Sequence, residues 1–247
     1  MNELRVLAIE GLPEIEAGAK LGDLIAARAE LCDGDTIVIA QKAVSKAEGR
    51  VRRLDSVTPG AEALRLAAEH GKNPALAQLI LDESREVLRA ERGVLITETH
   101  HGFVCANAGI DTSNLPEDGA ACLLPEDPDA SARRIRVELS SAAGTLAVVI
   151  ADSFGRAWRL GQSEVAIGCA GFTPLDDWRG RADAQGRKLE ATLIAIADQA
   201  AAAADLVRGK DSRLPAAIVR GLDRFVTTED GPGAAALRRP KDEDLFR

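Results

Sequence analysis

The sequence predicts an α+β fold, with mixed sheets and flanking helices, on three observations. Two continuous apolar runs, Thr36–Ala40 (TIVIA) and Leu146–Ala151 (LAVVIA), have the composition of strands buried on both faces. Several other stretches repeat apolar residues at helical spacing. Between them, a hairpin signal and long Gly/Pro/Asp-rich loops interrupt the strand–helix alternation that a doubly wound sheet requires. The 247 residues are 46% apolar and 28% charged, and a folded monomer of this size exposes roughly 10,500 Å² out of about 38,000 Å² for the extended chain. That suffices for a real core and excludes collagen, coiled coil and disorder. One domain over residues 1–247 is expected, with a subdomain near 50–88.

From the N-terminus, Arg5–Ile9 reads as a strand broken at Gly11-Leu12-Pro13. Leu21–Leu31 carries a helical stripe of Leu21, Leu24, Ile25 and Leu31, in which Arg28 fills one place with its aliphatic stem. Cys32-Asp33-Gly34-Asp35 turns the chain into the first buried strand. Glu62–His70 and Ala75–Leu81 read as helices on either side of Gly71-Lys72-Asn73-Pro74. Gly93–Thr97 and Phe103–Ala106 form a hairpin about His100-His101-Gly102. Gly109–Gly119 is irregular, Ala130–Leu139 is a helix, and the second buried strand follows. Glu190–Arg208 reads as one alanine-rich helix stopped by Gly209. Pro215–Val219 is the last strand, ahead of a charged tail, Lys241–Arg247.

Lys and Arg number 31 against 39 Asp and Glu, a net charge of −8. Neutralising nucleic-acid phosphates needs concentrated Lys and Arg, so nucleic-acid binding is not expected. No apolar run has the length of a membrane span; the Ala200–Ala204 block is flanked by Asp198 and Asp205. Cys32, Cys105, Cys122 and Cys169 form no CxxC pair, and no leader-like apolar stretch precedes Val6. Reduced thiols in a cytoplasm are the expectation.

Chemistry is sought first in what is absent. There is no GxxxxGK[ST] phosphate loop, no GxGxxG after a strand, no HExxH and no GxSxG. Three stretches remain. At the mouth of the first buried strand stand Gln41, Lys42, Ser45 and Lys46, a basic concentration that reads equally as a ligand loop or a solvated turn. Asp111-Thr112-Ser113-Asn114 offers a carboxylate for a hard divalent cation, although an Asx-turn is the commoner use of such a run. The second buried strand ends in Asp152-Ser153, a way to present a carboxylate to a metal-bound phosphate. Arg156 and Arg159 suit a carboxylate or phosphate clamp, and Trp158 either stacks on a planar ring or fills the core. The residues alone lead to a metal-dependent nucleotide or phosphate enzyme.

Four segments together, Gly11-Leu12-Pro13-Glu14, AQKAVSKAEGR (Ala40–Arg50), AGIDTSN (Ala108–Asn114) and ADSFGRAWRLGQSEVAIGCAG (Ala151–Gly171), resemble the coenzyme F420-0:L-glutamate ligase (CofE) family. The resemblance runs from about Gly11 to Gly221 and implies a stand-alone ligase with that family's α+β fold, forming an intertwined homodimer. It implies GTP-dependent addition of L-glutamate to F420-0, and to F420-1, through an acyl phosphate, with two divalent ions (Mg or Mn) and potassium. Carried across, Leu12, Pro13, Glu14 and Ile15 are the first GTP loop, Gln41, Lys42 and Lys46 the basic loop on the nucleotide, and Asn114 a further contact. Asp111 and Asp152 are ligands of the first metal and the catalytic pair, and Ser153 stands where the second metal is held. Lys210, in another nucleotide segment, cannot ligate a metal as a cation and is expected to meet phosphate. Three other readings are an amide ligase with a different carboxylate acceptor, a metal-dependent nucleotide phosphohydrolase, and a non-catalytic nucleotide-binding module that binds GTP without releasing phosphate.

Overall fold

A computed structural model describes residues 3–113, 115 and 118–245. In chain order its elements are β1 (Arg5–Ala8), α1 (Leu21–Ala26), β2 (Thr36–Ala40), α2 (Gln41–Ala47), β3 (Val51–Arg53), α3 (Ala61–His70), α4 (Pro74–Asp82), β4 (Ser84–Glu91), β5 (Val94–Thr99), β6 (Val104–Ala106), β7 (Ala120–Cys122), α5 (Pro128–Glu138), β8 (Ala147–Arg156), β9 (Arg159–Ala170), β10 (Leu175–Asp177), β11 (Leu193–Ala195), α6 (Ile196–Asp205) and β12 (Ala216–Arg220). The class is α+β, as the sequence predicts.

The main sheet runs β1-β12-β2-β8-β9. Only β2 and β8 are parallel, with Ala40 opposite Ala151; the other neighbours are antiparallel. Alternation along these strands feeds two cores. Ile37, Ile39, Val148 and Ile150 face Ile25, Val44, Ile135 and Leu139 from α1, α2 and the end of α5. Val38, Ala147, Val149 and Ala151 face the alanines of α6 with Phe172 and Phe225. Both faces are therefore covered, which is why the two strands read as unbroken apolar runs. Gly168 on β9 is required by close packing: a Cβ there would come within 2.3 Å of the Pro128 carbonyl oxygen.

A second sheet, β4-β5-β6, packs with α3 and α4 around Leu66, Ile80 and Leu95. A third pairs β3 with β7, and a fourth β10 with β11.

Several expected elements differ. The helix expected at Leu21–Leu31 ends at Ala26, where the Arg28 and Ala29 amides both turn back onto the Ile25 carbonyl, ahead of the Cys32–Asp35 turn closed by the Cys32 amide on the Asp35 carboxylate. The helix expected at Glu190–Arg208 begins only at Ile196, because Leu193–Ala195 pairs with Leu175–Asp177 as strand instead. Gln41–Lys46, read as a loop at the strand mouth, is helical. Trp158, weighed as a core residue, is 74% exposed at the tip of the β8–β9 hairpin, beside Leu160 at 98%. The exposed area of 13,366 Å² exceeds the expected monomer surface, and residues 155–162 of that hairpin are exposed throughout.

Candidate active site

The topology gathers one end of the main sheet. β2 and β8 run parallel until β2 ends at Ala40, opposite Ala151. β8, expected to end at Asp152-Ser153, instead continues to Arg156 because β9 keeps pairing with it, so Asp152 lies within the strand, level with the point where Gln41 leaves β2. β12, antiparallel to β2, starts at that end, and so does the loop that precedes it with Lys210. β1 ends there too, its exit fixed by the Ile9 amide on the Ala216 carbonyl, and leads into Leu12–Ile15. Ends of parallel strands are where open sheets leave room for ligands.

Each predicted residue can be placed on this frame. Lys42, on α2, reaches the Asp111 carboxylate at 2.7 Å and the Ser113 carbonyl at 2.7 Å. Asp111 itself is held by two backbone hydrogen bonds with Cys122, and its Oδ1 accepts the Ser113 amide at 2.7 Å. The Asx-turn and the ligand reading of this segment thus coexist. Lys46 pairs with Glu14, joining the first loop to α2. Gln41 is buried and accepts the Ser45 hydroxyl at 2.9 Å. Ile15 is a core residue and Leu12 packs against the same cluster, so their side chains anchor the loop, while Pro13 and Glu14 are exposed. Asn114 lies outside the described residues.

Asp152 follows Ile150 on the α5-side face of β8. Burial pushes its carboxyl up to about 7, helped by the charges of Glu164 and Asp111 and opposed by the Ser153 amide and Lys210. Asp111 goes the other way: burial would raise it, but Lys42 and Ser113 outweigh that and hold it below the usual carboxylate range. The two carboxylates thus feel each other while only Asp111 has its own ammonium partner. Two carboxylates with a single salt-bridged ammonium between them leave net negative charge, and a divalent cation is the natural complement.

Ser153 points the opposite way on β8, donates to Glu164 across the hairpin register, and accepts from Lys210 Nζ at 2.7 Å. Glu164 and Arg208, 3.6 Å apart, are both buried. Neither was singled out from the sequence. Glu164 sits in a polar-to-apolar run, and only the β8–β9 register shows that it faces Ser153. Cys105, whose thiol is pushed up to about 12 by burial with the Asp152 charge adding, is protonated and inert here. Arg156 and Arg159 pair at the hairpin tip, roughly 13 Å along the strand from Asp152, and do not join this cluster within one chain. Two open clefts, of about 370 and 640 Å³, lie elsewhere, at the β4–β5 turn and between His100–Phe103 and residues 235–241.

For the first divalent ion the residues fit. A carboxylate has about four lone-pair sites, so Asp111 can keep Lys42 and still ligate, and Asp152 has its oxygens in reserve. Among the described residues no three His, Cys, Asp or Glu side chains form a metal cage. Two carboxylates, with water and phosphate oxygens completing the shell, are the usual holder of magnesium. For the second ion the fit fails at Ser153, whose only hydrogen is given to Glu164 and which already accepts an ammonium.

Among the described residues no helix is long and apolar enough to cross a membrane. The family model described as F420-0:Gamma-glutamyl ligase matches residues 11–221. The chain is 45% identical to the coenzyme F420:L-glutamate ligase of Methanothermobacter thermautotrophicus, covering 99% of each chain. It is 43% identical to the protein of the same name from Methanopyrus kandleri, covering all of both. The Haloarcula marismortui protein of that name is 43% identical, over 99% of this chain and 96% of that one.

Proposed function

The chain belongs to the F420-0:gamma-glutamyl ligase family, and from that premise we propose that it joins L-glutamate to the free carboxylate of coenzyme F420-0 at the expense of GTP. A carboxylate does not condense with an amine at neutral pH, because its oxygen is a poor leaving group. Transfer of the γ-phosphoryl group of GTP to that carboxylate gives an acyl phosphate and GDP. The glutamate amine then attacks the acyl carbon, and a tetrahedral intermediate expels phosphate, which can take the amine's proton. The product is an amide, and its new carboxylates allow a second addition to F420-1.

Support comes from family membership together with the side chains gathered at one end of the sheet. Asp111 and Asp152 would hold a divalent ion, magnesium or manganese. That ion supplies charge neutralisation on the transferring phosphoryl group, worth several kcal/mol (order of magnitude). Lys46 is aligned by Glu14 and would exchange that partner for a phosphate oxygen, while Lys42, kept on Asp111, would add one to its contacts. Holding three reactants together contributes roughly 7–11 kcal/mol as effective molarity. No enzyme nucleophile is needed, in keeping with the protonated, buried Cys105.

The homodimer belongs to the same proposal: Trp158 and Leu160 at the hairpin tip are apolar surface that a second copy would cover. Four free cysteines suit a reducing cytoplasm. The test is incubation with GTP, manganese, L-glutamate and F420-0, followed by mass spectrometry. A gain of one or more glutamyl masses that requires GTP is expected. GDP formed equally without glutamate, with no mass gain, would instead identify a nucleotide phosphohydrolase.

A further inference from the structure

We propose that the Lys210 ammonium supplies the positive charge that a second divalent ion would bring to this site, so that each chain holds one divalent ion and not two. The inference rests on the nucleotide reading above. Lys210 stands on the exposed loop between α6 and β12, yet its Nζ is fixed 2.7 Å from the Ser153 hydroxyl. The hydroxyl passes its own hydrogen to Glu164, and Glu164 is opposed by Arg208, which is further tied to the Ala204 and Pro215 carbonyls. This chain of four residues runs from the buried interior to β8 and ends in an ammonium held on Ser153, the neighbour of Asp152.

A hydroxyl has one hydrogen and two lone pairs. At Ser153 the hydrogen and one lone pair are used, and the remaining one would have to ligate a dication with an ammonium alongside. Glu164, the other oxygen ligand in reach, is already neutralised by a guanidinium that cannot lose its charge. Asp111 differs, because its carboxylate carries a full negative charge and spare lone pairs despite Lys42. The Glu164–Arg208 pair therefore works as a positioning device: it orients Ser153, and Ser153 orients Lys210 toward the terminal phosphates.

The deciding experiment counts bound manganese by electron paramagnetic resonance, with a non-hydrolysable GTP analogue present and absent. One manganese per chain in the analogue complex, rising to two in Lys210→Glu, is the expected result. That change would place a further carboxylate beside Ser153 and Glu164, and an exposed loop position should tolerate it, as a melting curve would verify. Two ions per unaltered chain, or an unchanged count in a folded Lys210→Glu protein, would overturn the proposal. Failure of the analogue to bind would count against the nucleotide reading alone; the variant must still gain one ion in the nucleotide-free protein, and a constant count there again overturns the Lys210 inference.

Discussion

Replacing Asp152 by asparagine removes the titrating group at the centre of the site with almost no change of shape. The folded chain raises this carboxyl from 3.8 to about 7, a gap worth about 4 kcal/mol at 1.36 kcal/mol per pH unit. The side chain is partly exposed, so solvent reduces the observable share to about 2 kcal/mol. The sign follows from proton binding. The folded state holds the proton more tightly than the unfolded state, so the group's contribution is fully present below about pH 4 and is lost as pH rises through 7. Relative to the unaltered protein, Asp152→Asn should gain about 2 kcal/mol between pH 4 and pH 8, more than half of it above pH 5. Urea denaturation of both proteins in the presence of a chelator, at pH 5 and pH 8, measures the difference. At pH 8, added manganese should stabilise the unaltered protein and leave the variant unmoved. A stability difference independent of pH would refute the reasoning, because it would mean that Asp152 is neither desolvated nor crowded by Glu164 and Asp111.

Arg220 grips the fully buried Asp35 carboxylate through two hydrogen bonds of 2.7 and 2.8 Å. Arg220→Ala leaves that charge with the Cys32 amide and should lower stability by about 3 kcal/mol, the low end for a broken buried pair because the guanidinium is partly solvated; calorimetry showing no fall in Tm would contradict the assignment. Gly168→Ala forces a methyl against the Pro128 carbonyl and should destabilise by about 1–3 kcal/mol, read as a lower urea midpoint. Lys46→Ala should weaken GTP binding about 10- to 100-fold, the worth of one charge-assisted hydrogen bond, with little change in Tm; unchanged affinity removes Lys46 from the site.

The parts of the fold that were legible are those where burial imposes a period. β2 and β8 announced themselves as apolar runs because each is covered on both faces, and α3, α4 and α5 because each buries one stripe, α4 and α5 with capping side chains at Asn73 and Asp127 as well. β9 escaped because its outer half projects into solvent, where no partner imposes alternation, and its inner half is Gly- and Ala-rich. The 190–208 segment misled for a local reason: alanine favours helix, but pairing with Leu175–Asp177 outweighs propensity for Leu193–Ala195. At the site, Asp111, Asp152 and Lys42 stood out as charges at strand mouths. Glu164 and Arg208 did not, since their burial and their contact with Ser153 depend on hairpin register and on where α6 ends. Ile15 shows the converse, a residue carried into the site by resemblance whose side chain serves the core.

The central claim is that Asp111 and Asp152 together hold one divalent ion against the phosphates of a guanine nucleotide. Calorimetric titration of a non-hydrolysable GTP analogue with manganese, into the unaltered protein and into Asp111→Asn and Asp152→Asn, tests it most directly. Tight, manganese-dependent binding is predicted for the unaltered chain, with affinity reduced on the order of 100-fold in either variant, the loss expected when one partner of a desolvated charge contact is removed. Equal affinity in either variant, or binding indifferent to manganese, would contradict the account.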